Sequence, residues 1–287
     1  MGEIISATVF GILNGGIYAL LAVGLSLIFG VMNIVNFAHG ELVMLGMFGS
    51  FWAFTLLKID PYVSLVLIFP AMMILGIVIQ LGLINRVSLD DHKQQIMLTL
   101  GLSIVLMNLA TLLWSPDYRV IKTGYTDLNL SLPGTQVSLP RFLAFIGSII
   151  LITLVYFFLK HTKVGTMIRA TAQDRVAAGL MGINTQYIYA LVFGMGAMCA
   201  GVAGTLISNY FYIYPRIGSM FVALTFVIVV FGGLGSIQGA LIGGIIIGVI
   251  ESVSAVFVPP SLKEGVYYAI FLLTLWLKPK GLFGGRM

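Results

Sequence analysis

Apolar residues in this chain come in long unbroken runs, not in the alternating pattern of strands or the three-to-four spacing of surface helices. Between Glu3 and Lys58 the only acidic, basic or histidine side chains are His39 and Glu41, and between Arg216 and Lys263 the only one is Glu251. A helix crossing the hydrocarbon core needs about 20 apolar residues, and backbone amides in lipid must be satisfied within the protein. The runs are too long for barrel strands. They predict helical spans near 5–29, 37–57, 62–84, 96–114, 142–159, 186–209, 218–235, 237–257 and 264–278. Gly232, Gly233 and Gly235 interrupt the end of the seventh, which suits a broken or re-entrant helix, so the count is eight or nine. The expected fold is all-α: a polytopic integral membrane protein whose residues 1–287 form a single transmembrane domain, one bundle of eight or nine helices.

Composition agrees: 59% of residues are hydrophobic and 9% charged, where soluble domains carry about a quarter charged residues. An ordinary soluble enzyme is thereby excluded. The net charge of +5 does not point to nucleic acid, because the bases lie in short connections between spans and follow the positive-inside pattern. Arg86, Lys93, Lys160, Lys163, Arg169, Arg175, Lys278, Lys280 and Arg286 fall on one side, and Lys58, Arg119, Lys122, Arg141, Arg216 and Lys263 on the other. That bias puts 160–185 and the C-terminus in the cytoplasm and, with nine spans, the N-terminus outside. Cys199 is the single cysteine and sits in an apolar run, so neither a disulfide nor a thiolate metal site is expected. The N-terminus lacks a basic region ahead of its first apolar run, so a cleaved signal peptide is not expected.

The longest outer connection, about 115–140, contains Pro116, Pro133 and Gly134 and reads as an ordered extracytoplasmic loop. Tyr210, Tyr212 and Tyr214 suit interfacial anchoring, with contact to a partner protein as the alternative. Small residues recur four apart, at Gly11 and Gly15, Gly239 and Gly243, Gly244 and Gly248, and along Gly196, Ala200 and Gly204. In lipid, such stripes let helix backbones approach closely.

Two places carry candidate chemistry. Polar groups within spans are functional suspects: Asn14 in the first span, Asn33, Asn36, His39, Gly40 and Glu41 around the junction of the first two spans, and Glu251 in the eighth. They could line a path or form its hinge. Alternatively, His39 and Glu41 satisfy each other or loose helix ends and so lock the break between the spans, and Glu251 forms a bundle-stabilising hydrogen bond. The second place is the cytoplasmic segment about 160–185, where a helix from about 166 to 181 would stack Ala170, Asp174, Ala177, Ala178 and Met181 on one face. Gly182 would end it in a left-handed conformation, with Ile183 closing the turn. Such a helix suits docking into a groove on a partner, or is an ordinary loop helix.

The run Gly165-Thr-Met-Ile-Arg-Ala-Thr-Ala-Gln-Asp-Arg-Val-Ala-Ala-Gly-Leu-Met-Gly-Ile-Asn184 resembles the cytoplasmic signature of branched-chain amino acid ABC transporter permeases of the LivH type. Leu13-Asn-Gly-Gly-Ile-Tyr-Ala19, Asn33-Ile-Val-Asn-Phe-Ala-His-Gly-Glu41, Phe231-Gly-Gly-Leu-Gly-Ser236 and Lys278-Pro-Lys-Gly-Leu-Phe-Gly284 are similar to the same family, in order along the chain. The resemblance implies a non-enzymatic subunit of the bacterial inner membrane, forming the path for branched-chain amino acids. It also implies coupling to ATPase subunits through Arg169, Asp174, Ala177, Ala178, Gly182 and Ile183. No phosphate-binding Gly-x4-Gly-Lys-Ser/Thr motif occurs, so ATP and Mg would sit on partner subunits, with no cofactor and no metal on this chain. The implied partners are a homologous second permease, two ATPase subunits, an extracytoplasmic substrate-binding protein and membrane lipid, with no nucleic acid. Alternatives are an import system of the same family for urea, short amides or aromatic acids, a stand-alone secondary carrier or channel, and a purely structural membrane protein.

Overall fold

The computed structural model describes residues 2–87, 92–132, 135–259 and 262–284. Along the chain run α1 (Gly2–Met32), α2 (His39–Leu57), α3 (Pro61–Gly82), α4 (His92–Trp114), a hairpin of β1 (Asn129–Leu132) and β2 (Thr135–Ser138), α5 (Leu139–His161), α6 (Lys163–Gln173), α7 (Arg175–Leu180), α8 (Thr185–Ile207), α9 (Ile217–Gly232), α10 (Ile237–Phe257) and α11 (Lys263–Leu277). Each of the nine expected spans is a helix. Seven are long and apolar enough to cross a membrane; α9 and α11, at 16 and 15 residues, rise only about 24 and 22 Å against a core of about 30 Å. As its terminal glycines suggested, α9 stops early: Gly233 and Gly235 both have positive φ.

Burial sorts the helices into an inner and an outer set. The most apolar windows of α1 and α8 are 89% and 94% buried, whereas that of α4 is 11%. Thus α1 and α8 form the axis and α4 faces outward. Glycine sets the closest approach. On α1, a methyl group built on Gly15 would stand 2.8 Å from the Cα of Ile245, and one built on Gly248 of α10 would stand 2.5 Å from the Cα of Gly15. The two small-residue stripes read from the sequence therefore face each other across one antiparallel contact, where packing drives association.

The connections divide between two ends. At one lie the end of α1, the α6–α7 segment, the α9–α10 turn and the tail, whose Leu282 and Phe283 amides donate to the Phe231 and Gly232 carbonyls (2.9 and 3.1 Å). This is the end richer in bases, although Arg286 lies outside the described residues. At the opposite end Arg119 and Ile213 exchange backbone hydrogen bonds, and the Arg119 guanidinium caps the Trp114 carbonyl while lying over the Trp52 ring. Tyr125 donates to Asp60 (2.7 Å) and Tyr62 to the Pro140 carbonyl (3.0 Å). The described residues of the 115–140 connection make these contacts, and they include a pair of antiparallel strands that an all-helical expectation omits. Alternation in Leu130-Ser-Leu132 and Gln136-Val-Ser138 carries the strands; Pro133 and Gly134, expected to turn, lie outside the described residues.

Candidate functional site

At the basic end, α6 begins on Thr162, whose hydroxyl accepts from the Gly165 amide (2.9 Å). Gly165, Ile168 and Thr171 recur every third residue and are buried, which fixes α6 against α5, α1 and α8. Arg169, half-buried, donates to the Thr166 hydroxyl (3.3 Å). The single helix expected over 166–181 is broken at Asp174. This residue is extended (φ −151°, ψ 108°), and its Oδ1 accepts from the Val176 and Ala177 amides at 2.8 and 3.0 Å. A short carboxylate competes for free amides better than it fits a helix interior. Asp174 therefore caps α7 and does not share a face with Ala170 and Ala177. Those two amides hold its carboxyl below its ordinary value.

The other end of α7 follows the sequence expectation. Gly182 is left-handed (φ 84°), its amide donates to the Gly179 carbonyl, and the Ile183 amide donates to the Ala178 carbonyl (3.0 and 3.1 Å). This is a Schellman closure. Ala178 is buried beneath it, 4% exposed, so of the two candidate alanines only Ala177 is presented outward. Beside it stand Val176, Leu180 and Met181, with Leu180 85% exposed. The sequence reading missed Val176 and Leu180 because it sought small residues. Their signal was an i, i+4 apolar pair on a six-residue helix too short to span a membrane. A polar cleft of about 600 Å³ joins this segment to the rest, with Asn33, Asp174, Tyr189 and Gly235 in its wall.

The junction of α1 and α2 starts at exposed Asn33 and runs back into the bundle, where Asn36, His39 and Glu41 are buried. With 31 residues, α1 rises about 46 Å, well beyond one hydrocarbon core. It ends at Asn33, in the left-handed region (φ 54°) that asparagine tolerates better than most residues. The chain then turns back. The buried His39, first residue of α2, donates from Nε2 to the carbonyl of Leu21 (3.1 Å), eleven residues before the end of α1 and about 16 Å back along it. Between them, the side chain of buried Asn36 accepts from the Ala38 amide (3.1 Å), and Thr99 of α4 donates to the Val35 carbonyl (3.1 Å). Glu41, also buried, accepts at Oε1 from Ser103 (3.2 Å). Its carboxylate lies against Gly218, where a built methyl would stand 2.5 Å from Oε2. This is the first turn of α9, the end of a helix that favours negative charge. Gly40 packs on the carbonyl of that same Gly218. His39 and Glu41 thus engage separate neighbours and do not satisfy each other.

Glu251 and Asn14 meet elsewhere, in an open cleft of about 770 Å³ at the opposite end, between α1, α10 and the start of α11. Lys263 bonds Glu251 there (3.1 Å). The sequence reading placed Lys263 in a loop count and missed the pair, which spans a helix boundary. Of the candidate tyrosines, Tyr212 is exposed, Tyr214 packs tilted against Tyr118 (ring centroids 4.7 Å), and Tyr210 lies under the Arg141 guanidinium (5.2 Å). Among the described residues, no three His, Cys, Asp or Glu side chains are grouped to hold a metal ion.

Residues 7–275 match the family described as branched-chain amino acid transport system / permease component. The chain belongs to that family. The permease is 32% identical to the high-affinity branched-chain amino acid transport system permease protein LivH of Salmonella typhimurium, over 96% of this chain and 93% of the relative. It is 31% identical to the corresponding permease protein BraD of Pseudomonas aeruginosa, over 96% and 94%. Among solved structures, PsaBC from Streptococcus pneumoniae in complex with Fab aligns over 97% of this chain and 91% of that chain, at TM-score 0.49 and 14% identity. The permease is accordingly a multi-pass membrane protein of a transporter family, and the resemblance read from its motifs holds along nearly its whole length.

Proposed function

We propose that this permease forms part of the translocation path of an ATP-binding-cassette importer for branched-chain amino acids in a bacterial inner membrane, with its basic end in the cytoplasm. The observation that carries the reading is α7. It is capped at both ends, tied by the polar cleft to α1 and to the α9–α10 turn, and it presents Val176, Leu180 and Met181 outward. Apolar side chains facing water on a short helix are the mark of a protein contact, and an ATPase subunit is the partner that would exploit it. Movement of that partner would reach α1 and the α9–α10 turn through the walls of the cleft. The cargo rests on the relatives, whose names specify branched-chain amino acids. ATP and Mg would be held by two ATPase subunits, the path would be completed by a homologous second permease, and an extracytoplasmic binding protein would deliver substrate.

The test is gentle purification of the tagged chain, followed by reconstitution of whatever accompanies it into vesicles. Two ATPase subunits and a second permease are expected, with leucine uptake that needs ATP and the binding protein. Recovery of the chain alone, with ion-driven flux, would overturn the reading in favour of a secondary carrier. Uptake of urea or an aromatic acid in place of leucine would overturn the cargo alone.

A further inference from the structure

We propose that the open cleft between α1, α10 and α11 is a binding site for the head group of a free α-amino acid, Glu251 receiving its ammonium and Lys263 its carboxylate. The proposal deepens the importer reading and rests on it for the class of cargo. It begins from an unsatisfied group. Glu251 is 7% exposed and sits well inside α10, where a carboxylate must face protein or water. Its Oε1 accepts from Lys263 Nζ at 3.1 Å and the buried Tyr18 hydroxyl also bonds the carboxylate group, while its buried Oε2 has no hydrogen-bond partner. Lys263 is the first residue of α11 and about a third exposed, on a flexible stem that can swing away from the carboxylate.

The chemistry of that pair selects its guest. A zwitterion entering between the two side chains replaces one ion pair by two, ammonium to Glu251 and carboxylate to Lys263. An uncharged solute such as urea must open the pair and offers no charge in return. An amine or a carboxylic acid alone leaves one side chain without a counter-charge, which is costly for a buried group. Asn14, in the same wall, adds an amide that can donate or accept. Glu3 lies at the rim and favours the ammonium end. Phe10 and Val256 give the cleft an apolar side suited to a branched aliphatic chain. Its volume of about 770 Å³ lies within the range of about 300–1,000 Å³ typical of small-molecule sites.

The experiment uses the complex assembled from the full chain and its co-purified partners. Val256→Cys places a thiol in the cleft wall, and the native Cys199 is fully buried, so a membrane-impermeant maleimide should report the cleft. Millimolar leucine is expected to slow labelling at least fivefold, with no slowing by 3-methylbutylamine, 4-methylpentanoate or urea. Adding Glu251→Gln or Lys263→Met should abolish that protection and reduce ATP-driven leucine uptake at least tenfold. Protection that survives both substitutions would show that the pair only locks α10 to α11, and would overturn the proposal. So would labelling indifferent to leucine in a complex that imports leucine, an outcome that leaves the importer reading standing. Protection by leucine in a preparation without ATP-driven uptake would keep the site and sink the importer. Should Glu251→Gln not assemble, Lys263→Met and the four-ligand comparison on Val256→Cys alone carry the same decision.

Discussion

The chain breaks its helical course twice at places where function was suspected, and the two breaks are built in opposite ways. Between α6 and α7 the break is in water and self-sufficient. Asp174 captures two amides, Gly182 turns the exit, and every one of these hydrogen bonds is made within the ten residues 174–183. Between α1 and α2 the break runs back into the bundle and depends on others. Leu21 supplies a carbonyl for His39, Ser103 and Thr99 reach in from α4, and Gly218 gives up its side chain so that Gly40 and Glu41 can lie against it. A break in water can borrow from solvent, so local side chains suffice. A break in the bilayer cannot, so its partners must be fixed by tertiary packing. The first is closed by its own hydrogen bonds; the second holds α1, α2, α4 and α9 together.

The same substitution should therefore act with opposite sign at the two breaks. A methyl at Gly40 meets the Gly218 carbonyl, and the Cβ of Val222 at 2.9 Å. Gly40→Ala should destabilise the permease by about 1–3 kcal/mol or more, the usual cost of overpacking. A methyl at Gly179 of α7 meets nothing within 4 Å, so Gly179→Ala should be neutral or stabilise α7 by up to about 1 kcal/mol, through helix propensity. Thermal unfolding of the two purified variants in detergent compares them directly. Equal losses at both sites would erase the distinction between a packed break and a free one.

Next in size is a substitution that should leave stability alone and affect coupling. Leu180→Glu puts a charge on a side chain 85% exposed, so yield and melting should stay near those of the parent. ATP-driven leucine uptake in vesicles should fall at least tenfold as the apolar contact with an ATPase subunit is lost. Unchanged uptake would remove α7 from the docking surface. A smaller effect is expected at the buried break from Thr99→Val, which deletes the bond from α4 to the Val35 carbonyl. Interhelical hydrogen bonds of this kind are worth about 0.6 kcal/mol, so the melting temperature should fall by only a degree or two.

What could be read from the sequence follows the same division. Spans are written in apolar length, a property of each segment alone, so all nine expected segments were legible as helices, seven of them long enough to cross a membrane, and so was the early end of α9 at its glycines. The Schellman closure at Gly182 and Ile183 was legible because its bonds are local. Asp174 was misread although its signal was present: the 3.6-residue period suggested a continuous face, while aspartate is itself a preferred N-cap. The bond of His39 to a carbonyl 18 residues earlier, the approach of Glu41 to Gly218, and the pairing of Glu251 with Lys263 were not legible, since each depends on how helices pack. Suspicion fell on these polar residues for a general reason, the cost of polarity in lipid. Their partners had to come from the fold.

The smallest expected effect tests whether the exposed break is held as locally as it looks. The folded-state pKa of Asp174 lies below its ordinary 3.8, because the Ala177 and Val176 amides bond the ionised form. A depressed carboxyl pKa contributes stability that is fully present above the ordinary value and is lost as pH falls through the folded one. Protection of the α7 amides, measured by hydrogen exchange and corrected for intrinsic rate, should therefore be flat from pH 8 to about 4 and decline only below 3.8. Asp174→Asn keeps an acceptor at the cap without a titrating proton, so it should retain protection at neutral pH and remove the acid decline. Asp174→Ala should weaken protection of α7 at every pH. If the acid decline persists in Asp174→Asn, another group controls the segment, and the break is not the self-contained unit that its hydrogen bonds describe.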